Sequence, residues 1–255
     1  MTADVAAKRA AFRALHAQGC FVLPNPWDVG GIRRLERRGF RALATTSSGF
    51  AASLGLDDGE ITLDDVLSHM RAMSAATDLP VNADFENGFA DDPAGVARNV
   101  TEAVSTGVAG VSIEDRERLG DLYAFDAAVE RVAAAREAIA RTGDDVLLIA
   151  RCEAFLTGRT DLDEVIARLR AFAAAGADCV YAPGVLDLHD VRRIVDAVAP
   201  VPVNVLLHQP GTTVAELASA GARRVSIGGG LARAAWRAFD AMADALVHDG
   251  RLPER

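Results

Sequence analysis

The sequence of 255 residues has no apolar run long enough to cross a bilayer, so no membrane span is expected. It has only three cysteines, Cys20, Cys152 and Cys179, widely spaced and without a CxxC pair or a Cys/His cluster. That pattern offers neither a disulfide framework nor a thiolate zinc site. Reduced, buried thiols in a cytoplasmic protein are the plain reading. Positive charge is also short: 27 Lys and Arg against 36 Asp and Glu give a net charge of −9 and a pI near 5.1. The balance speaks against nucleic acid or an anionic membrane surface as partner. It leaves room for an anionic substrate, because one local arginine can outweigh the global field. The first residues, Met1-Thr2-Ala3-Asp4 onward, start polar and read as a helix, with no secretory h-region. The dinucleotide fingerprint GxGxxG is missing after the first strand, where Pro24-Asn25-Pro26-Trp27-Asp28 stands instead.

What is present is an alternation. Half of the residues are hydrophobic and 25% are charged, as suits a packed globular chain. Helical spacing over 4–18 is followed by the apolar strand 20–23. Strands are then expected at 41–46, 79–84, 109–114, 146–151, 178–182, 201–206 and 224–227, each followed by a segment of helical period. The runs are apolar on both faces, as parallel strands covered by helices should be. Two architectures fit, a closed (β/α)8 barrel of the TIM type and an open doubly wound sheet. Eight units in about 250 residues match the barrel, and the missing fingerprint argues against the sheet. The expectation is a single (β/α)8 barrel domain over 1–255, with an extra N-terminal helix.

In such a barrel the C-terminal strand ends form one rim, which carries the chemistry. Asn82, Asp84 and Glu86 follow at two-residue spacing where the third strand ends. Alternate residues of a strand share a face, so the three point one way if the strand persists. The other ends bring Thr46, Ser47, Ser48 and Gly49; Glu114 and Asp115; Arg151 and Glu153; Asn204 and His208; and Ser226 with Gly228, Gly229 and Gly230. So many carboxylates at one rim repel one another unless a cation compensates. Asp84, Glu86 and Glu114 are hard oxygen donors that suit Mg2+, with Mn2+ a possible substitute. Arg151, closing an apolar run, suits a carboxylate clamp. Ser47, Ser48 and the Gly49 N–H could hold a second oxygen. Each group also has a plainer explanation. Glu114-Asp115-Arg116 could be a surface ion pair, Ser47-Ser48-Gly49 and Asp57-Asp58 ordinary turns, and His208 a loop residue. The three glycines could cradle a phosphate or allow close packing.

Taken together, Thr45-Thr46-Ser47-Ser48-Gly49, Gly55-Leu56-Asp57-Asp58-Gly59, Pro80-Val81-Asn82-Ala83-Asp84, Gly110-Val111-Ser112-Ile113-Glu114-Asp115, Ala150-Arg151-Cys152-Glu153 and Pro202-Val203-Asn204 resemble the isocitrate lyase/phosphoenolpyruvate mutase superfamily over nearly the whole chain. The resemblance implies a magnesium-dependent barrel acting on 2-oxo acids, their phosphonates or related carboxylates. Its members make or break a C–C or P–C bond through an enolate-like species held on the metal. It implies substrate binding by Ser47 and Gly49, with Arg151 holding the substrate and Asn204 lining the pocket. It places Asp58, Asp84 and Glu114 in the metal shell, some through water, and makes Asp58, Glu114 and Arg151 the candidate catalytic groups. It also implies a homo-oligomer, dimer or tetramer, with the last helix swapped between subunits.

The chain departs from that pattern in places. The motif usually reads Asp-Ala-Asp, and Asn82 removes one anion, which Glu86 could replace. The lyases' Lys-x-Cys-Gly-His segment is missing after the fourth strand, where Arg116 to Tyr123 stand. So is the mutase's Lys-x-Asn loop, and Ala182-Pro183-Gly184 ends strand six where a His or Glu is usual. The leading expectation is a lyase for a small 2-oxo dicarboxylate, by decarboxylation or retro-aldol-like cleavage. The alternatives are P–C bond chemistry of the mutase or hydrolase kind, and a non-catalytic barrel that binds a carboxylate metabolite.

Overall fold

A computed structural model describes residues 4–118 and 120–251. Eight short strands form one parallel sheet: β1 (Phe21–Leu23), β2 (Leu43–Ala44), β3 (Val81–Asp84), β4 (Gly110–Glu114), β5 (Leu147–Arg151), β6 (Cys179–Tyr181), β7 (Val203–Leu206) and β8 (Arg224–Ser226). Their order is β1-β8-β7-β6-β5-β4-β3-β2, so the sheet curls round until β1 and β2 face each other. No ladder joins those two, but the Ala44 N–H donates to the Pro24 carbonyl at 3.0 Å. Asn25 completes the closure. Its amide donates to the Thr45 carbonyl at 2.9 Å, and its Oδ1 accepts the Ile227 N–H at 3.0 Å. The result is a nearly closed (β/α)8 barrel, as the alternation predicts.

Among the described residues ten α-helices accompany the strands: α1 (Val5–Ala17), α2 (Val29–Glu36), α3 (Ser47–Ser53), α4 (Leu63–Ala75), α5 (Pro93–Ser105), α6 (Phe125–Thr142), α7 (Leu162–Ala174), α8 (Leu188–Val198), α9 (Val214–Ser219) and α10 (Gly230–Asp249). Their starts are written locally. Thr62 and Thr213 make capping boxes with Asp65 and Glu216, and Asp92 caps α5 with Pro93 in its first turn. Among the described residues no helix is long and apolar enough to cross a membrane.

α1 closes the bottom of the barrel. Phe12 is fully buried and packs with Phe21, Ala109 and Leu147 at the strand N-termini. Gly110 permits this plug, because a Cβ there would stand 2.8 Å from the Phe12 ring and 2.6 Å from Asn82 Oδ1. Lys8 and Arg9 hold α1 down by donating to the Ser74, Thr77, Val104 and Val108 carbonyls. With the bottom sealed, the open end lies at the strand C-termini.

Two local readings change. The second strand is only Leu43–Ala44, because Thr46 leaves the sheet to cap α3. Ser47, Ser48 and Gly49 are therefore the first turn of a helix, not a loop. The third strand stops at Asp84, and Glu86 adopts φ +42°, a conformation uncommon for a residue with a side chain. The two-residue spacing no longer places Glu86 on the face of Asp84.

Candidate active site

A cavity of about 200 Å³ opens at the C-terminal rim. Ser47, Ser48, Asp58, Asp84, Glu114 and Arg151 border it, drawn from the ends of β2, β3, β4 and β5 and the loop before α4. At its centre Arg151 meets three carboxylates. Nη1 lies 2.7 Å from Asp84 Oδ1 and 2.9 Å from Glu114 Oε1, and Nε lies 2.9 Å from Glu153 Oε1. The neighbouring strands β4 and β5 put Glu114 beside Arg151 by register. Asp84 Oδ2 is held by the Ser47 N–H at 3.0 Å and the Ser47 hydroxyl at 3.1 Å. A helix N-terminus and a guanidinium thus grip the two oxygens of one carboxylate.

Arg151 is the one cation in contact with this carboxylate wall among the described residues, and its acids repel one another. Burial raises Glu114 well above the ordinary carboxylate range, with Glu153, Asp84 and Asp58 adding repulsion and Arg151 opposing. Burial likewise raises Glu153. Asp58 is raised by burial of its carboxyl and then by the Asp84 charge, although much of the residue remains exposed at the mouth. The cavity therefore holds acids able to carry a proton beside a permanent cation.

A family model described as phosphoenolpyruvate phosphomutase matches residues 12–247. The chain belongs to the isocitrate lyase/phosphoenolpyruvate mutase superfamily. A crystal structure of a lyase/mutase candidate from Burkholderia cenocepacia J2315 is 47% identical, with a TM-score of 0.94 over 98% of this chain and 92% of that one. The 2-methylisocitrate lyase of Shewanella oneidensis is 33% identical over 229 residues, covering 84% of this chain and 76% of its own. The oxaloacetate decarboxylase of Ectopseudomonas mendocina is 32% identical over 198 residues, covering 73% of this chain and 66% of its own.

Within this superfamily member, three of the expected site residues do not reach the cavity. Glu86 is buried behind it and pairs with Arg118 at 3.0 Å, leaving Oε1 without a partner. The left-handed turn after β3 redirects it, so it does not stand in for the carboxylate missing at Asn82. Asn204 lies below the cavity, its amide donating to Ser226 Oγ and its Oδ1 accepting from Arg224 Nε, both at 2.9 Å. Gly49 is buried and turns its N–H back to Thr46 Oγ1 at 3.4 Å. Its role is packing: a Cβ would come within 2.8 Å of Thr46 and 3.1 Å of Trp27. Asp115 also leaves the rim, buried against Arg168 at 3.1 Å. His208 is exposed and sits by the β7–α9 loop, away from the cavity. Gly229 approaches Ser48 so closely that a Cβ would stand 3.1 Å from its Oγ, which favours the close-packing explanation of the glycine run. Among the cysteines Cys152 and Cys179 are buried, Cys20 is half-buried, and none borders the cavity.

The structure also brings in residues that sequence spacing did not single out. Arg224 and Tyr181 border the cavity. Arg224 shares its strand face with Ser226 by the period of two, and an arginine at the start of an otherwise short apolar strand, after Arg223, was the available signal. Arg116 borders the mouth from the short loop after β4, which an antiparallel bridge between Arg116 and Leu122 folds back on itself.

The donor chemistry fits magnesium. Asp58, Asp84 and Glu114 are all oxygen donors at one cavity, and they repel one another. Among the described residues no three acidic, His or Cys side chains converge into a metal cage. Magnesium does not need one, since it is usually held by one or two carboxylates, waters and the substrate.

Glu86 gives a test of stability against pH. Burial, together with the Asp84 and Asp58 charges, lifts it from 4.5 to about 7 despite Arg118. The folded state then binds more protons than the unfolded chain between those values, so stability falls as pH rises through that window. Glu86→Gln removes the charging step. Its stability relative to the parent should improve between pH 5 and pH 8, by at most about 3 kcal/mol for a shift of this size. Urea denaturation at the two pH values measures it; an identical pH dependence in both proteins would refute it.

Proposed function

We propose that the chain is a magnesium-dependent C–C lyase acting on a small 2-oxo acid, with a dicarboxylate the best fit. The observation that carries this reading is Arg151, a guanidinium at a barrel strand end that faces the cavity amid Asp84, Glu114 and Glu153. Asp84, Asp58 and Glu114 would hold the ion. Bound there, magnesium would polarise the 2-oxo group and stabilise the negative charge that cleavage places on its oxygen.

The protein's own groups supply the rest. Arg151 fixes the substrate carboxylate and orients the bond to be broken. Ser47 and Ser48 offer hydroxyls, and the α3 N-terminus a positive dipole end, beside the same carboxylate. Asp58 would return a proton to the product carbon, because it faces the cavity and meets solvent from which it can be reprotonated. The relatives named as a methylisocitrate lyase and an oxaloacetate decarboxylase support C–C cleavage. Incubation with magnesium and a panel of 2-oxo acids tests it. Release of pyruvate or CO2 from at least one is expected; inertness towards all of them would end the lyase reading.

A homo-oligomer is proposed on a separate observation. Helix α10 leaves Trp236, Phe239, Met242, Leu246 and Val247 exposed, with Phe239 at 64% and Val247 at 80%. The repeat along one helix makes a self-complementary contact with a second copy of this chain the simplest cover. Light scattering should give a dimer or tetramer, and Phe239→Asp with Leu246→Asp should shift it to monomer. A parent protein that is monomeric at micromolar concentration would defeat this.

A further inference from the structure

Besides Arg151 and Arg116 at its mouth, the cavity has a guanidinium at its floor that the lyase reading leaves unused. Arg224 is 2% exposed, inside the barrel, and borders the cavity from below. Among the described residues it has no carboxylate partner. Nε donates to Asn204 Oδ1 at 2.9 Å, and Nη1 reaches Asn82 Oδ1 only at 3.5 Å. The other buried arginines are differently provided for. Arg9 pairs with Asp144, Arg168 with Asp115, and Arg131 donates to the carbonyls of Asn87, Ala90 and Asp91. Arg151 has three acids. Burying a cation without an anion is costly, and Arg224, unlike Arg131, is not compensated by backbone carbonyls and borders a cavity that can admit an anion.

The surroundings preserve that charge. Both side chains that touch the guanidinium are neutral amides. A carboxylate at Asn82 or Asn204 would supply an internal counter-ion and cancel it. Arg151 adds repulsion, and burial pushes the guanidinium below its ordinary range, so Arg224 gains more from an incoming anion than Arg151 does. The cavity is thus polarised. Its upper wall has Arg151 among acids, beside Ser47 and Ser48, and its floor has a bare cation.

We propose that Arg224 is the specificity-determining residue of this cavity and binds the distal carboxylate of a dicarboxylate whose reacting end lies at Arg151. The assignment of the reacting end rests on the lyase reading, whereas the anion preference does not. The planar fork of Arg224, already held at Nε by Asn204, presents its Nη groups towards the cavity for a bidentate contact.

Succinate and its mono-amide succinamate test this, since they match in size and differ by one charge. Calorimetric titration with and without magnesium should show succinate bound at least tenfold more tightly by the parent protein. Arg224→Met should reduce that preference below threefold, and Arg224→Lys should keep part of it. Asn82→Asp leaves Arg224 in place but supplies the counter-ion, so it too should erase the preference; it covers the case in which Arg224→Met fails to fold. A parent without preference, or a preference that survives Arg224→Met or Asn82→Asp, overturns the proposal. The two readings fail separately. A preference governed by Arg224 without turnover of any 2-oxo acid removes the lyase and keeps this inference. Turnover of mono- and dicarboxylic 2-oxo acids at equal kcat/KM, unchanged in Arg224→Met, does the reverse.

Discussion

Arg151→Gln is expected to lower kcat/KM by about a thousandfold, equivalent to about 4 kcal/mol of transition-state stabilisation. Two effects add. The substrate loses a fixed charge partner in a site that excludes much of the water, where such a contact is strongest. The wall of acids also loses the one guanidinium in contact with it among the described residues, since Asp84, Glu114 and Glu153 all pair with Arg151. Arg151→Lys keeps the charge but cannot contact these groups through a planar fork, so it should recover only part of the loss. Stability carries a second signature. Without the guanidinium that opposes it, the upward shift of Glu114 and Glu153 grows, so the variant's deficit should grow as pH rises from 5 to 8. Steady-state kinetics on whichever 2-oxo acid is turned over decides the first point. A glutamine variant within tenfold of the parent would remove Arg151 from the centre of the site.

Asp115→Ala should be the most damaging substitution for stability, at about 3–5 kcal/mol. Asp115 and Arg168 are both buried, with side chains 1% and 5% exposed. Arg168 also donates to the Tyr123 carbonyl at 3.1 Å, fastening α7 to the loop after β4. Burial lifts Asp115 above the ordinary range even beside Arg168, so the pair as a whole adds little net stability. Removing one member is what costs, because the other charge stays buried alone. For a chain of this size the expected fall in Tm is about 10 °C. Asp115→Leu with Arg168→Met should recover much of it. Recovery should be incomplete, since Asp115 Oδ1 also accepts the Glu153 N–H at 2.8 Å and so orients an acid that contacts Arg151. Thermal unfolding of the single and double variants checks this; a single variant as stable as the parent would contradict it.

The site was legible where a carboxylate or an arginine closed an apolar strand. Asp84, Glu114 and Arg151 are the last residues of β3, β4 and β5, and their direction follows from the pleat. Ser47 was expected in a turn; the signal passed over was Thr46, a helix-capping residue type just before it. The reading failed just beyond the strand ends. Glu86 lies two residues past β3, where one left-handed φ redirected it to Arg118. Asp115 lies one residue past β4, and a distant arginine on α7 claimed it. Arg224 was overlooked for the opposite reason: it is in the strand, but its charge is significant only because no acid meets it across the barrel.

The sequence by itself determined the alternation of strands and helices, the helix caps, and the gathering of carboxylates at one end of the strands. Those follow from periods of two and 3.6 and from local hydrogen bonding, which act over a few residues. Only the tertiary structure decided which charges touch. Arg151 is bound to three acids from two other strand ends and its own, Asp115 is removed to the core, and Arg224 is left unneutralised between two amides. The reason is physical. Coulomb energy and burial are set by distance in space, and closing the barrel brings together groups as far apart in the chain as Asn82 and Arg224.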